Sequence, residues 1–423
     1  MSRHDRPVGG GRAERLGELD LLRFLAALAV VAFHYMAASR SLWGAPPTRI
    51  FPSVAPLTAL GILGVELFFV ISGFVILMSV EGRTAGSFAV SRFTRLFPAY
   101  WFSFVAIFLL YTLTPLEHFR PDLSPAEYLV NMTMLQRGLG VGDASGVYWS
   151  LWVELRFYVL IGLLALAGIT LRRVLIFMGL WLVLAAYAGA LDHPVLDVAL
   201  LPDHAPYFVG GMAFYVIYRY GSSLIPWALV LGSWACAVRA ATERVARRVE
   251  LVGAANFPVP EWAVIVAITL IFGVMALVAL GGLRRLRGRF LTVLGALTYP
   301  LYLLHQTVSA VFIPLLVGKI NSWLIVGIVV GISLALSYAV WRLVERPAQR
   351  ALRPRLTASL GALRAVPPVP AADPPAARPA PPAPPAPVPA GTAAPAPAGG
   401  GPQGTGETVS LAELLGRDRR GTV

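Results

Sequence analysis

The sequence predicts an all-α integral membrane protein of about ten transmembrane helices, followed by a disordered C-terminal tail. Three observations predict this fold class. Hydrophobic residues make up 57% of the chain and charged residues only 13%, about half of the roughly 25% that is usual in soluble domains. The apolar residues fall in blocks of about twenty, the length that spans about 30 Å of hydrocarbon. Lys and Arg lie mostly in the short segments between blocks, where they set the topology.

Ten apolar blocks are predicted to cross the bilayer. They lie near 19–37, 58–80, 97–114, 149–169, 174–190, 206–220, 224–240, 262–281, 292–317 and 322–341. The block at 206–220 is short, and a gap of only a few residues separates 149–169 from 174–190. The N-terminal segment lacks a short apolar core followed by a small-residue cleavage site, so we expect no removed signal peptide.

The distribution of arginine predicts that both termini are cytoplasmic, because the segments on that side of the membrane then hold most of the arginines. One predicted outer loop, 239–248, breaks the rule with four arginines. It is either a surface amphipathic helix or a sign that the span count is wrong there.

Because most Lys and Arg lie in short segments between the apolar blocks, the net charge of +13 indicates contact with anionic membrane lipids and not with nucleic acid. High Ala, Gly, Pro and Arg usage indicates a GC-rich bacterial genome, so the predicted location is the bacterial plasma membrane.

Three regions follow from composition. Residues 1–16 form a basic cytoplasmic arm, 17–350 a transmembrane domain, and 351–423 a Pro/Ala-rich cytoplasmic tail that cannot build a core. The tail is a candidate site for a protein partner. Its last segment, ETVSLAELLGRDRR, is either a short amphipathic helix or a frayed end. The single cysteine excludes an intrachain disulfide framework, and no metal site is predicted.

The long outer loop 115–148 is predicted to contain one short helix. This helix starts at Ser124, because Ser is a preferred N-cap residue and Pro125 suits the first helical position.

Polar residues inside the apolar blocks are the candidate site residues, because a charge in the bilayer centre costs several kcal/mol. Arg23 and His34 are eleven positions apart on the first block, so they share one helix face about 16 Å apart. Alone, Arg23 is equally well read as an interfacial arginine, and His34 as a histidine bonded to a neighbouring helix.

Two carboxylates are predicted near the depth of His34. Glu66 lies in the second block, where Ser72 and Gly73 follow; the simpler reading of these two is close helix packing. Glu154 lies in the fourth block on the same face as Ser150. Its simpler reading is an ion pair with Arg156, and that of Trp149 is an interfacial aromatic belt.

The remaining polar residues lie at the inner end of the third block and in the ninth. Arg92 and Arg95 share a face before the third block and are either a phosphate-binding pair or topology signals alone. Tyr302 and His305 are three positions apart in the ninth block. Sorted by depth, these groups predict a cavity with a cationic inner mouth and an acid/base outer end.

Six segments in this order resemble the family 3 membrane acyltransferases, which include O-acetyltransferases of bacterial surface polysaccharides and acyltransferases of macrolides. The segments are RFLAALAVVAFH, GVELFFVISGF, SRFTRLFPAYW, YWSLWVELRFY, YPLYLLH and VERP. The resemblance covers about 17–350 and implies ten spans and a cytoplasmic acyl-CoA co-substrate, with no permanently bound cofactor. It also implies acyl transfer, acetyl by default, to a carbohydrate or macrolide hydroxyl.

The resemblance also implies roles for individual residues. Arg23, Arg92 and Arg95 would bind CoA phosphates, and His34, oriented by Glu66 or Glu154, would act as general base. Ser72, Gly73, Trp149, Ser150, Tyr302 and His305 match structural or substrate-binding positions. Direct transfer and a covalent acyl-His or acyl-Tyr intermediate both remain open. The competing functions are a transporter or flippase of a glycan or lipid-linked substrate, and a non-catalytic scaffold.

Overall fold

The computed structural model describes residues 16–113, 123–191, 193–251 and 259–365. Within these ranges the chain is helical, with no strand. The α-helices are α1 Gly17–Met36, α2 Arg40–Trp43, α3 Pro47–Ile50, α4 Ala55–Ala59, α5 Gly64–Val80, α6 Ala85–Leu113, α7 Pro125–Asn131, α8 Tyr148–Ala167, α9 Leu171–Leu191, α10 Pro194–Leu200, α11 Ala205–Tyr220, α12 Leu224–Leu251, α13 Glu261–Ala279, α14 Arg289–Leu316, α15 Ser322–Val340 and α16 Arg346–Ala365.

Nine helical stretches of the described ranges are long and apolar enough to cross a membrane, which confirms the predicted fold class. The remaining predicted block, 206–220, is also a helix, α11, but its 16 residues extend only about 24 Å. Every residue from Ala205 to Ile217 is buried. The helix is therefore enclosed by its neighbours, chiefly α5 and α12, which explains why its apolar run can be short.

The outward faces of the long helices are apolar. On α8, Val159, Leu163 and Leu166 are 56%, 58% and 74% exposed, and their spacing puts them on one helix face. Large aliphatic side chains exposed in rows suit contact with lipid better than contact with water. The helices therefore bury their polar residues inward, where the candidate site residues lie.

Two predicted boundaries differ from the structure. The arginine-rich segment 239–248, predicted as an outer loop or a surface amphipathic helix, is helical and belongs to α12, which continues to Leu251. The predicted disordered tail begins at 351, but α16 extends through Ala365. A helix is favoured there because Ala, Leu and Arg are strong helix formers. The rest of the tail and the basic arm 1–15 lie outside the described residues.

The short helix predicted in the loop 115–148 is confirmed as α7. Ser124 is its N-cap, and its hydroxyl and the Glu127 carboxylate form a capping box. Pro125 occupies the first helical position. The two hydrogen bonds that Glu127 accepts from Ser124, the backbone one above all, lower the pKa of the Glu127 carboxyl below its usual value.

Helices α5 and α11 pack backbone to backbone at Gly73 and Gly211. A Cβ atom at Gly73 would overlap the backbone carbonyl oxygen of Phe208, and one at Gly211 would overlap that of Val70. This is the small-residue packing that allows membrane helices to approach closely. Gly73 therefore holds α11 against α5, the helix that carries Glu66 and Ser72.

We expect Gly73→Ala to destabilise the protein by about 1–3 kcal/mol, because overpacking must push the two helices apart. The matched control is Gly162→Ala on α8, where an added Cβ meets nothing within 4 Å. Thermal unfolding of the purified variants measures the difference. Equal midpoints for the two variants would contradict the close approach at Gly73.

Candidate active site

Helices α1, α5, α6, α8 and α14 enclose a cavity that we call the arginine cavity. Seven of the twelve predicted site residues line it, and they are Arg23, Ser72, Arg92, Arg95, Ser150, Glu154 and Tyr302. The remaining wall is mainly aromatic and aliphatic, with Phe68, Tyr158 and Tyr299 among its members. The structure therefore brings together residues from five separate helices. Sequence spacing could relate these residues to one another only when they lie on the same helix.

Charge in the arginine cavity is unbalanced. Its lining holds three guanidinium groups and one carboxylate, Glu154. The Arg92 guanidinium lies over the rings of Phe88 and Tyr158, at 5.7 Å and 5.9 Å from their centroids. An enclosed site with an excess of two positive charges suits an anion, and guanidinium groups match phosphate oxygens in geometry.

Glu154 is fixed by two hydroxyl groups. Its Oε1 atom accepts hydrogen bonds from Ser72 Oγ at 3.0 Å and Tyr158 OH at 2.6 Å. We predicted Glu154 at the depth of His34. The structure places it in the wall of the arginine cavity, whereas His34 lines a different cavity.

His34 lines a second cavity, which we call the histidine cavity. The other polar side chains in its wall are Ser39, Tyr111, Asp143, Ser145, Gln306, Thr307 and Ser309. Asp143 belongs to the segment between α7 and α8. Its carboxylate accepts hydrogen bonds from Arg137 Nε at 2.6 Å and Gln136 Nε2 at 2.9 Å. Hydroxyl, amide and carboxylate groups in one wall can hydrogen-bond a neutral polyhydroxyl ligand.

The two cavities follow one another along α14 and the start of α8. Gly146 and Gln306 line the histidine cavity, while Ser150 and Tyr302, each four positions away, line the arginine cavity. The Ser150 and Tyr302 hydroxyls are hydrogen-bonded at 2.7 Å. This pair therefore lies at the end of the arginine cavity that is directed toward the histidine cavity.

His34 and His305 contact each other through their rings. His305 Nε2 lies 3.2 Å from His34 Nδ1, and the ring centroids are 4.9 Å apart. His34 Nδ1 is also 2.9 Å from the Val30 carbonyl oxygen. His305 is fully buried on α14, one turn beyond Tyr302. Of the predicted ninth-block pair, Tyr302 thus lines the arginine cavity, and His305 contacts His34, which lines the histidine cavity.

Glu66 forms a buried ion pair that sequence spacing did not predict. Its Oε1 atom lies 2.8 Å from Arg244 Nη2, with side chains only 6% and 11% exposed. Arg244 also donates to His204 Nε2 at 2.7 Å. Glu66 thus pairs with α12, and Glu154 is bonded to Ser72 and Tyr158. The orientation of His34 by either carboxylate stays a prediction.

Trp149 lies beside this ion pair. It lines a small pocket together with Glu66 and Arg244, and its ring faces Phe69 and His204 at centroid distances of 6.3 Å and 5.8 Å. Trp149 therefore packs against side chains of α5 and of the segment before α11. Glu66 and Trp149 form a cluster separate from the lining of both cavities.

Three residues of the site were missed in the sequence. Tyr158 follows Glu154 by one turn within the same motif, so its spacing was an available signal. Asp143 lies in a loop, where no periodicity indicates its neighbours. Arg244 belongs to the segment that broke the arginine rule, and that anomaly was a signal of a buried arginine. No group of three or more His, Cys, Asp or Glu placed to hold a metal ion occurs among the described residues.

A family model described as an acyltransferase domain matches residues 16–342. The match takes in all twelve predicted site residues and the linings of both cavities. Comparison with curated proteins and with solved structures gives no match.

Proposed function

This chain belongs to acyltransferase family 3, and on that premise we propose that it is an O-acyltransferase that uses acyl-CoA as its donor. It transfers an acyl group, acetyl by default, to a hydroxyl group. The acceptor is a carbohydrate or a glycosylated secondary metabolite such as a macrolide. The observation that carries this proposal is the succession of the two cavities, a cationic one and one lined by a histidine. A transferase has to hold its two substrates with their reacting atoms together, and two adjoining cavities of different chemistry suit that requirement.

The donor enters the arginine cavity in this proposal. Arg23, Arg92 and Arg95 bind the CoA phosphates, because charge-assisted hydrogen bonds to phosphate are the strongest that side chains offer. The cavity wall beyond them, with Phe68 and Ile76, suits the largely uncharged pantetheine arm. The thioester then has to pass the hydrogen-bonded Ser150 and Tyr302 hydroxyls, which part as it reaches the histidine cavity.

The acceptor occupies the histidine cavity, where Asp143, Ser145 and Gln306 bind its hydroxyl groups. His34 removes the proton of the reacting hydroxyl, whose oxygen attacks the thioester carbonyl carbon. The carbon–sulfur bond breaks, and the thiolate of CoA takes the proton back from His34. The products are an ester and free CoA, and His34 returns to its neutral form.

The two cavities are proposed to receive their substrates from opposite sides of the membrane. We propose that the arginine cavity opens to the cytoplasm, where acyl-CoA is made, and that both termini lie on that side of a bacterial plasma membrane. The arginine distribution in the sequence supports this orientation. The acceptor then approaches from the other face.

The test of the donor site is the Michaelis constant for acyl-CoA. Arg92→Gln/Arg95→Gln is expected to raise it at least tenfold, because each hydrogen bond to a charged group contributes about 1.5–3 kcal/mol. The assay follows CoA thiol release by purified protein in nanodiscs with a polar extract of the native cell as the acceptor pool. Arg83→Gln is the matched control, since Arg83 is exposed in the turn before α6. An unchanged Michaelis constant in the double variant would remove the phosphate role.

A further inference from the structure

The His305 ring contacts His34. The position of the hydrogen on the His305 ring can be deduced from the atoms around it. Its Nδ1 atom faces two backbone carbonyl oxygens, Leu301 O at 3.1 Å and Tyr302 O at 2.9 Å. Carbonyl oxygens only accept, so Nδ1 must carry a hydrogen. A neutral imidazole carries one hydrogen, and the Nε2 atom of His305 is therefore an acceptor.

The acceptor atom of His305 points at His34. His34 Nδ1 lies 3.2 Å from His305 Nε2 and 2.9 Å from the Val30 carbonyl oxygen. Two acceptors thus face the same nitrogen, which favours the tautomer of His34 with its hydrogen on Nδ1. In that tautomer Nε2 is the basic nitrogen of His34, the one that takes a proton.

We propose that His305 is the positioning residue of His34, holding it in the tautomer and ring orientation that a general base requires. This inference rests on the proposed function, in which His34 is that base. His305 has the part that we predicted for Glu66 or Glu154, but it is a neutral group. It touches no substrate in this account and acts only through His34.

Neutrality of His305 matters once His34 takes a proton. The imidazolium of His34 keeps its Nδ1 hydrogen on His305 Nε2 and the Val30 carbonyl, so the charged form is still hydrogen-bonded. A second proton on His305 would place two cations with ring centroids 4.9 Å apart, an arrangement that a buried site strongly disfavours. Beyond the one ring hydrogen of each neutral histidine, the pair therefore takes up only one further proton, which enters and leaves through His34 Nε2.

Neighbouring contacts fix the position of His305 relative to α1. The hydroxyl of Tyr35, the residue after His34, donates to the His305 backbone carbonyl at 2.9 Å and contacts Ser333 Oγ on α15 at 2.8 Å. Tyr35 and Ser333 are both buried. The register between α1 and α14 is thus held one residue from His34, which keeps the two rings in contact.

The test compares His305→Leu, which removes the acceptor, with His305→Gln, whose amide oxygen can replace Nε2. We expect His305→Leu to lower kcat by about 10- to 100-fold, as loss of a partner that orients a functional histidine does elsewhere. The Michaelis constant for acyl-CoA should stay unchanged, and His305→Gln should recover at least part of the loss. In a His34→Gln background, His305→Leu should cause no further loss, because the two residues act as one unit.

Leu303→Val, a buried change on the same helix away from both cavities, controls for packing. His305→Met replaces the leucine variant if the latter does not fold. Equal losses in the glutamine and leucine variants, or a full additional loss in the His34→Gln background, would overturn the positioning role. Wild-type kcat in His305→Leu while His34→Gln is inactive would also overturn it. Full activity of His34→Gln would instead remove the proposed base itself.

Discussion

Arg244→Met is expected to lower the free energy of unfolding by about 3–5 kcal/mol, because it leaves the Glu66 carboxylate buried without its guanidinium partner. The two side chains are 11% and 6% exposed and 2.8 Å apart. Arg244 also holds His204, so its loss affects two groups. The midpoint of thermal unfolding in nanodiscs, followed by a thiol-independent signal such as tryptophan fluorescence, measures the effect.

A double variant separates the charge from the packing. Glu66→Gln/Arg244→Met is expected to be more stable than Arg244→Met alone, since no uncompensated charge remains. The control is Arg239→Met on the same helix, which breaks an exposed pair with Glu243 that contributes about 0.5 kcal/mol or less. If Arg244→Met is no less stable than Arg239→Met, the buried pair does not hold α12 in the bundle.

This experiment also decides the role of Glu66. A folded Glu66→Gln/Arg244→Met variant with a normal kcat would make Glu66 a structural residue. A folded variant with a kcat lowered 100-fold or more would support the prediction that Glu66 acts in catalysis. The buried ion pair with Arg244 favours the structural role, because it joins Glu66 to α12.

The second large effect is expected at His34. His34→Gln should lower kcat by about 10²- to 10⁴-fold, the usual contribution of a general base, because an amide cannot take the proton of the acceptor hydroxyl. Binding of acyl-CoA should be unaffected, since His34 lines the histidine cavity and not the arginine cavity. His193→Gln, at an exposed residue outside both cavities, is the control. A kcat within threefold of wild type would exclude His34 as the base.

The sequence predicts well which side chains on a single helix lie on the same face. Arg23 and His34 do line the interior of the bundle from a single helix, and Ser150 and Glu154 share the wall of one cavity. The capping box of α7 follows from local chemistry alone, because its residues are three positions apart. Periodicity fixes the face on which a residue lies, so such relations need no knowledge of the fold.

Contacts between helices are harder to predict. The partner of Glu66 lies on α12, and nothing in the spacing of either helix specifies that the two faces meet. Glu154 lines the cavity that holds Arg23, Arg92 and Arg95 and not the one that holds His34, and this too depends on how the helices pack. His305 was found as a motif residue, but its contact with His34 depends on the packing of α1 against α14.

In the proposed mechanism the arginine cavity binds the donor and His34 transfers the proton, so the two functions lie on different residues. The initial rate of acyl transfer as a function of acyl-CoA concentration tests it directly. For Arg92→Gln/Arg95→Gln we predict a rate that approaches the wild-type maximum as the donor is raised, and for His34→Gln a rate that stays at least 100-fold below it at every concentration. Saturating donor that restores the His34 variant but not the arginine variant would contradict the account.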